Sequence, residues 1–417
     1  MDIKELRINS NRFKQSHDEI CKIGATAGGG VNRVALTDED RQARDLFVKW
    51  LKEIQCNVSI DEMGNIFGER TGKHPELPSV MSGSHLDSQP NAGRFDGTLG
   101  VLAALEVLRT LHENDIKTER TLFATNWTNE EGCRFPPVMV SSGVWAGAIA
   151  LEKAYQSMDN GGVTQLEALE QIGYKGTTPA KNWPLHAYYE YHIEQGPILE
   201  KAGITIGIPK GIVCLHWYDI TIEGQGDHVG PTPMEVRRDA LCCAAEMILK
   251  VKGVPDRVGG GMVATVGEIH NSPNSRNIIP EKVHFTIDIR SWDDDQALKA
   301  WTILEQDFNE IAECNGTTVQ MAVTSQVVHA PFNKELVLHI TESAEALGYS
   351  NQDIVSGAVH DASYINQIAP AAMIFVPSIG GRSHVEVEHT DWDDCVAGAN
   401  VLLQSMLKSA NEIWFYS

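Results

Sequence analysis

The first part of the chain alternates short apolar runs with segments of helical periodicity. A polar stretch at 37–40 is typical of a helix start, and the apolar residues after it recur three or four positions apart. Apolar runs at 77–84 and 121–125 predict strands, and the segment 97–111 predicts a strongly apolar helix between them. Both predicted strands run into polar loops, and open α/β sheets usually place their sites at such strand ends. We therefore expect an α/β domain up to about residue 208.

Beyond that point the pattern of apolar positions changes. Along 283–290 apolar residues occupy every second position, which predicts a strand with one buried face and one polar face. Further strands and helices are predicted over 218–222, 236–250, 262–268, 295–314 and 318–324. The resulting order, β-α-β-β-α-β, is the split βαβ layout of a ferredoxin-like domain.

After this segment the α/β pattern returns, with two helices around an apolar strand at 371–376. The simplest architecture is an α/β domain formed by 1–210 and 330–417, interrupted by a smaller α+β domain at 211–329. A length of 417 residues is typical of two or three domains, and this arrangement uses two.

A large acidic excess narrows the classes of partner. The chain has 34 Lys+Arg against 56 Asp+Glu, a formal net charge of −22, so nucleic acids and anionic membranes would be repelled at long range. The hydrophobic fraction of 42% is enough for an extensive core, which excludes wholesale disorder. We expect neither a nucleic-acid nor a membrane partner.

The N-terminus and the cysteine usage favour a cytoplasmic protein. The first seven residues carry charges where a signal peptide would be apolar, and no apolar run of about 18 residues follows. The eight cysteines are scattered and form no C-x-x-C pair, which fits reduced thiols better than disulfides or a structural zinc site. Any bound zinc must therefore use other ligands.

The first candidate cluster lies in the loop at 83–97, where His85, Asp87 and Asp96 occur among glycines and a proline. Imidazole and carboxylate groups are ligands of divalent metals, and Asp87 is placed to hold the far ring nitrogen of His85. A surface turn that contains a histidine and two aspartates explains the same residues equally well.

The second candidate is the pair Glu130 and Glu131, directly after the predicted strand at 121–125. Adjacent side chains of an extended chain point in opposite directions, so one glutamate can bind a metal while the other faces the substrate. A glutamate beside a metal is a natural general base, because the metal lowers the pKa of bound water from about 15.7 toward about 7. By itself, such a pair is usually a solvated turn.

Two further histidines, His192 and His384, lie in short polar stretches at 191–197 and 380–386. Their wide spacing is weak evidence for a shared site. Six other histidines are expected to be surface residues: His17, His74, His112, His186, His339 and His389.

Five motifs occur along the chain in a fixed order. They are Gly-Ser-His-Leu-Asp-Ser at 83–88, Gly-Arg-Phe-Asp-Gly at 93–97, Glu-Glu-Gly at 130–132, His-Ile-Glu-Gln-Gly-Pro at 192–197 and Ser-His at 383–384. Together they closely resemble the hydantoinase/carbamoylase branch of the M20 metallopeptidase family, which contains N-carbamoyl-L-amino acid hydrolases, β-ureidopropionases and allantoate amidohydrolases. The similarity extends over nearly the whole chain, including the inserted domain.

The resemblance implies a di-metal catalytic domain interrupted by a lid and dimerisation domain. One divalent ion would be held by His85, Asp96 and His192, and the other by Asp96, Glu131 and His384. Asp96 would bridge the two ions. Zinc suits nitrogen-rich sites with a bridging carboxylate, and manganese, cobalt or nickel are alternatives.

The resemblance also implies the reaction. Glu130 would be the general base that cleaves the ureido C–N bond of an anionic N-carbamoyl amino acid, releasing the amino acid, CO₂ and NH₃. His192 favours this branch, because peptidase members tend to have a carboxylate there. The wording Ser-Gln-Pro at 88–90 is more similar to carbamoylases and β-ureidopropionases than to allantoate enzymes. Val359 stands where the family has glycine, which would narrow the substrate pocket.

Further roles follow from the same resemblance. His228 would stabilise the oxyanion in the neighbouring subunit of a homodimer, and Asn277 and Arg290 would bind the substrate carboxylate. An arginine fork pairs bidentately with a carboxylate. Gln195 and the Gly357 backbone are weaker candidates for substrate contacts.

Several alternatives stay open at this point. An allantoate or ureidoglycolate amidohydrolase, or an aminopeptidase or N-deacylase, could use the same scaffold. A catalytically silent metal-binding assembly protein would not need the base Glu130, since a structural site is closed. A cysteine-nucleophile amidase would have to use Cys133, whose thiolate the adjacent carboxylates disfavour.

Overall fold

The computed structural model describes residues 3–412, which fold as two units. The first unit runs to Gly211 and resumes at Pro331, and the second comprises Ile212–Ala330. Within residues 3–412, no helix has both the length and the apolar character needed to cross a membrane.

The strands, numbered in chain order, belong to one large and one small sheet. They are β1 (Asn57–Ile60), β2 (Ile66–Arg70), β3 (Ser79–His85), β4 (Leu122–Trp127), β5 (Leu185–Ile193), β6 (Ile206–Ile212), β7 (Cys214–Glu223), β8 (Val263–Ser272), β9 (Lys282–Ser291), β10 (Thr318–Val327), β11 (Ala330–Pro331), β12 (Asn351–Ser356) and β13 (Ala371–Val376).

The helices occur in both units, and short 3₁₀ turns lie at Ile3–Glu5, Met234–Val236 and Ile379–Gly381. The helices are α1 (Ser10–Ile20), α2 (Asp38–Glu53), α3 (Thr98–Glu113), α4 (Val140–Ala146), α5 (Leu151–Tyr155), α6 (Gln165–Gln171), α7 (Ile198–Ala202), α8 (Ala240–Val258), α9 (Asp294–Cys314), α10 (Lys334–Ala346), α11 (Ala362–Ile365) and α12 (Trp392–Asn411).

The large sheet of the first unit is mixed, in the order β1-β2-β4-β3-β5-β13-β6-β11, with β12 paired to β6. Its four central strands, β4, β3, β5 and β13, are mutually parallel. Every residue of β3 and β13 is buried, as expected of parallel strands covered on both faces. This sheet and the small second sheet confirm the predicted mixed α/β fold.

Helices α3 and α12 pack on these central strands and on each other. Helix α3 is buried from Thr98 to Leu111, which explains its strongly apolar sequence. Helix α2 also begins where the sequence predicts. The Thr37 side chain accepts a hydrogen bond from the Asp40 N–H and so caps the helix. These elements hold the central strand ends in fixed positions.

The second unit has a four-stranded antiparallel sheet in the order β10-β7-β9-β8, covered on one face by α8 and α9. Val283, Phe285, Ile287 and Ile289 are buried against these helices, as their alternation predicts. Helix α8 begins later than the periodicity predicts, because Asp239 caps the N–H groups of its first turn.

Some expectations about individual residues are wrong. His17 and His339 were assigned to the surface, but both are buried. Burial lowers the pKa of His17 to about 4, and its Nε2 lies 3.0 Å from the Arg94 carbonyl oxygen. His339 bonds to the hydroxyls of Tyr189 and Ser409. Histidine occurs both in protein cores and on surfaces, so the residue type alone does not distinguish these two buried histidines from the exposed ones.

Candidate active site

The carboxyl ends of the four parallel strands meet at one edge of the large sheet. His85 is the last residue of β3, and His192 is the penultimate residue of β5. Glu130 and Glu131 lie in the loop after β4, and His384 lies in the loop after β13. Because neighbouring parallel strands end on the same side, residues far apart in sequence come together here.

The first donor group consists of His85, Asp96 and His192, all buried. The Oδ1 atom of Asp96 lies 3.0 Å from the Nε2 of His192 and 3.5 Å from the Nε2 of His85. Asp96 itself stands just before α3, in the loop that follows β3. One carboxylate oxygen thus faces two imidazole nitrogens.

The second donor group consists of Asp96, Glu131 and His384. The Nε2 of His384 lies 3.2 Å from the Oδ2 of Asp96 and 3.4 Å from the Oε2 of Glu131. The two oxygens of Asp96 therefore face different donor groups, as a bridging carboxylate would. His384 is half-exposed, whereas the other donors are buried, so this group opens to solvent.

The tautomers of the buried histidines fit a cation. The Nδ1 of His85 lies 2.8 Å from the Asp87 carbonyl oxygen, and the Nδ1 of His192 lies 2.9 Å from the Ile193 carbonyl oxygen. A carbonyl only accepts, so each Nδ1 carries the proton and each Nε2 keeps a lone pair. The Gly97 N–H donates to the Nε2 of His192, which agrees. A cation placed between these lone pairs and the Asp96 carboxylate would bind to both.

Gly97 is required for this approach of the helix to β3. Its φ is +60°, and a Cβ at this position would lie 2.4 Å from ring atoms of His85. The glycine after Asp96 therefore lets the start of α3 pack directly against the His85 ring.

Glu130 lies beside the first donor group, with its Oε2 atom 3.5 Å from the Nε2 of His85. It is buried, and the preceding residue Asn129 has a left-handed backbone with φ of 56°. That turn directs Glu130 toward His85 and Glu131 toward His384. The two glutamates thus diverge as predicted, although they lie in a bend and not in a strand.

Burial and charge set the ionisation of these carboxyl groups. Burial raises the pKa of Glu130 well above its ordinary value, and burial raises that of Glu131 to about 7. Burial also opposes ionisation of Asp96, but the neighbouring His192, His384 and His85 side chains hold its pKa well below the usual range. Asp96 is therefore the ionised centre of the site.

Asp87 contacts the site differently from the prediction. Its backbone carbonyl, and not its carboxylate, holds the ring of His85; the carboxylate Oδ1 is 3.9 Å from that Nδ1. The carboxylate instead accepts hydrogen bonds from the N–H groups of Glu130 and Glu131, both at 3.3 Å. Asp87 thus supports the histidine and both glutamates at once.

Gln195, a predicted substrate contact, has partners within the donor groups. Its Nε2 donates to the Oδ2 of Asp96 at 2.7 Å and lies 3.3 Å from the Oγ of Ser383. Gln195 therefore contacts Asp96 directly, and its contact with a substrate stays a prediction. Gly357 lies after β12, where it is exposed and its Cβ position is open.

The other predicted residues belong to the second unit. His228 is exposed, and Val229 beside it donates its N–H to the carbonyl of Asn277. Arg290 projects from the polar face of β9, where Asp288 accepts hydrogen bonds from its Nε and Nη2, each at 3.0 Å. Arg290 and Asp288 line a cavity of about 560 Å³ on the small sheet, and His228 is not part of its lining.

The sequence reasoning missed several buried polar residues behind the site. Glu190, two positions before His192 on β5, accepts hydrogen bonds from the Ser84 hydroxyl and the Ala362 N–H. Glu388 accepts hydrogen bonds from the segment around Asp96. A glutamate inside a buried apolar strand is a detectable signal for Glu190, but nothing comparable marks Glu388.

The chain is similar in sequence to several known proteins. The model of the family described as peptidase family M20/M25/M40 matches residues 81–408. An N-carbamoyl-L-amino-acid amidohydrolase of Rhizobium meliloti is 41% identical over 404 residues, covering 97% of each chain. An allantoate amidohydrolase of Bacillus subtilis is 33% identical over 400 residues, covering 94% of this chain and 95% of that one.

Solved structures of related proteins are also similar to this chain. An amidase of the hydantoinase/carbamoylase family from Burkholderia vietnamiensis has a TM-score of 0.94 and 45% sequence identity. The match covers 98% of this chain and 99% of the other. The likeness therefore extends over both units.

Proposed function

Because the chain belongs to peptidase family M20/M25/M40, in its hydantoinase/carbamoylase branch, and is a hydrolase of C–N bonds, we propose that it hydrolyses N-carbamoyl amino acids. The products would be the amino acid, CO₂ and NH₃. The observation that carries this proposal is the bridging position of Asp96 between two donor groups, with Glu130 directly beside one of them.

The donor groups fit two divalent ions per subunit. His85 and His192 would hold one ion, Glu131 and His384 the other, and Asp96 both. When bound, such ions act as Lewis acids and lower the pKa of water. Zinc best suits this mixture of imidazole and carboxylate, and manganese, cobalt or nickel are also compatible.

Glu130 would move the proton. Its carboxylate accepts a proton from the attacking water and then delivers it to the nitrogen of the departing amine. Its burial supports this role, because a raised pKa makes the carboxylate a better proton acceptor.

Substrate binding would use the cationic Arg290 and the amide of Asn277 to hold the carboxylate of the substrate. Asp288 fixes the Arg290 guanidinium through two hydrogen bonds. The arginine side chain would therefore lose less conformational entropy when it binds the substrate. The Gly357 backbone would contact the other end of the substrate, and the neighbouring Val359 would reduce the space for bulky side chains.

A substrate panel tests the proposed function. Ammonia release is measured from N-carbamoyl-α-amino acids, N-carbamoyl-β-alanine and allantoate, and amine release from N-acyl amino acids and a dipeptide, each with and without chelator. We expect the carbamoyl compounds to be preferred by at least about tenfold in kcat/KM, because a site that binds a ureido group by hydrogen bonds rejects analogues that lack it. Exclusive turnover of N-acyl compounds or peptides would contradict the proposal.

Allantoate hydrolysis is the second candidate, and the similarity to the Bacillus subtilis allantoate amidohydrolase favours it. Allantoate carries two ureido groups, so it demands a wider pocket than an N-carbamoyl amino acid. Preferential turnover of allantoate in the same panel would select this candidate.

We also propose a homodimer in which His228 completes the partner's site. Its exposure and its position in the second unit support a contribution to another subunit. A preparation of His228→Ala and Glu130→Gln chains, each inactive alone, tests this. On random pairing, half of the dimers are mixed and each has one complete site, so activity should return to about a quarter of the wild-type value. Activity that stays at the level of the single variants would rule out a shared site.

A further inference from the structure

Glu388 connects the two loops that carry the exposed half of the proposed metal site. Its Oε1 atom accepts hydrogen bonds from the N–H groups of Phe95 and Asp96, at 2.9 and 3.1 Å. Its Oε2 atom accepts the Ser383 hydroxyl at 2.8 Å. Asp96 bridges the two donor groups, and Ser383 precedes His384. A single buried carboxylate therefore holds both segments together.

The fit of Glu388 against the first loop is close. A Cβ on Gly93 would lie 2.0 Å from the Oε1 of Glu388, so this position allows only glycine. On the second loop, His384 has a positive φ of 58°, a conformation that costs a non-glycine residue free energy and persists only when its surroundings impose it. The hydrogen bond from Ser383 to Glu388 supplies such a restraint directly beside His384.

The hydroxyl of Ser383 has two acceptors but only one proton. Its Oγ lies 2.8 Å from the Oε2 of Glu388 and 3.1 Å from the Oδ2 of Asp96. A hydroxyl can donate to one acceptor at a time, and the shorter contact is to Glu388. The Oδ2 of Asp96 already accepts a hydrogen bond from the Gln195 amide at 2.7 Å. While Glu388 takes the Ser383 proton, the second lone pair of this oxygen stays available on the side of His384, whose Nε2 lies 3.2 Å away.

We propose that Glu388 is a positioning residue that keeps the Oδ2 atom of Asp96 available to a divalent cation. It does so by accepting the Ser383 proton and by fixing the distance between the Asp96 and His384 loops. This inference rests on the proposed di-metal function, but it concerns cation affinity and not the identity of the substrate.

The variant Glu388→Gln replaces one carboxylate oxygen, an acceptor, by an amide NH₂ group, a donor. The amide oxygen can still accept from the Phe95 and Asp96 N–H groups, whereas the amide NH₂ replaces Oε2 and can only donate to the Ser383 oxygen. The Ser383 proton must then turn to Asp96, where it competes with a cation. Loss of a residue that supports metal ligands typically weakens metal binding by about 10–100-fold, and we expect this for one of the two ions.

The measurement is titration of the metal-free full-length protein with Zn²⁺ against a chromogenic chelator, together with the visible spectrum of the Co²⁺ form. We expect Glu388→Gln to weaken one Zn²⁺ and to alter the Co²⁺ bands, and excess Zn²⁺ to restore activity. The melting temperature of the metal-free protein should stay close to that of the wild type. Glu386→Gln, on the same loop, is the matched control and should bind Zn²⁺ as the wild type does.

A double-mutant cycle with Ser383→Ala isolates the proton argument. Ser383→Ala alone should weaken Zn²⁺ slightly, by loss of the loop restraint. In Ser383→Ala/Glu388→Gln no hydroxyl remains to turn toward Asp96, so its affinity should equal that of Ser383→Ala. Additive losses would overturn the inference. Tighter binding in Ser383→Ala would also overturn it, and this result does not depend on the folding of Glu388→Gln. A wild-type protein that binds no Zn²⁺ would overturn the di-metal proposal as well.

Discussion

Glu130→Gln is expected to lower kcat by about 10²–10⁴-fold, the usual contribution of a general base, while both metal ions stay bound. The amide has nearly the shape of the carboxyl group, so the buried site can keep its packing, but it cannot accept a proton from water. Glu130 lies beside His85 and belongs to neither donor group, so its charge is not needed to hold a cation. Ammonia release and metal content per subunit together check this expectation.

Glu131→Gln provides the contrast, because it changes the adjacent glutamate in the same bend. Its Oε2 atom faces His384, so this variant should lose an ion as well as activity. If Glu130→Gln remained fully active, or if it lost metal as Glu131→Gln does, Glu130 would not be the general base.

The second large effect is expected for Asp96→Asn, which should abolish tight binding of both ions at once. Asp96 is the residue shared by the two donor groups, and each of its oxygens faces a different set of imidazoles. The amide nitrogen would put a donor where a cation requires a lone pair. We expect activity at least as low as that of Glu130→Gln, with metal content below one ion per subunit by elemental analysis.

His384→Ala serves as the control for Asp96→Asn, because it removes a ligand of one donor group only. It should retain close to one tightly bound ion per subunit. An Asp96→Asn protein that keeps two ions would show that the carboxylate does not bridge.

The sequence predicted the parts of the fold that have a strong period or a long apolar run. The alternation along 283–290 corresponds to β9, and the apolar run at 371–376 coincides with β13. Strand β5 was not predicted, because its buried residues include Glu190 and His192, which hide its apolar character. Buried polar residues within a strand thus make that strand difficult to recognise from the sequence.

The candidate metal ligands could be named from the motifs, but their supporting contacts could not. The carboxylate of Asp87 binds backbone N–H groups and not the ring of His85, and the amide of Gln195 binds Asp96, a contact that no motif predicts. Such contacts depend on where loops from different strands lie in space. Spacing along one chain does not contain that information.

The order of the candidate metal ligands along the chain affects how the site assembles during protein synthesis. His85, Asp96 and His192 all precede the second unit in the chain, whereas β13, His384 and α12 follow it. During synthesis the first donor group can therefore assemble before the second, which must wait until the segment after Pro331 has emerged and β13 has paired with β5. A cation shared through Asp96 would then join the two ends of a discontinuous unit, so that metal supply favours completion of folding.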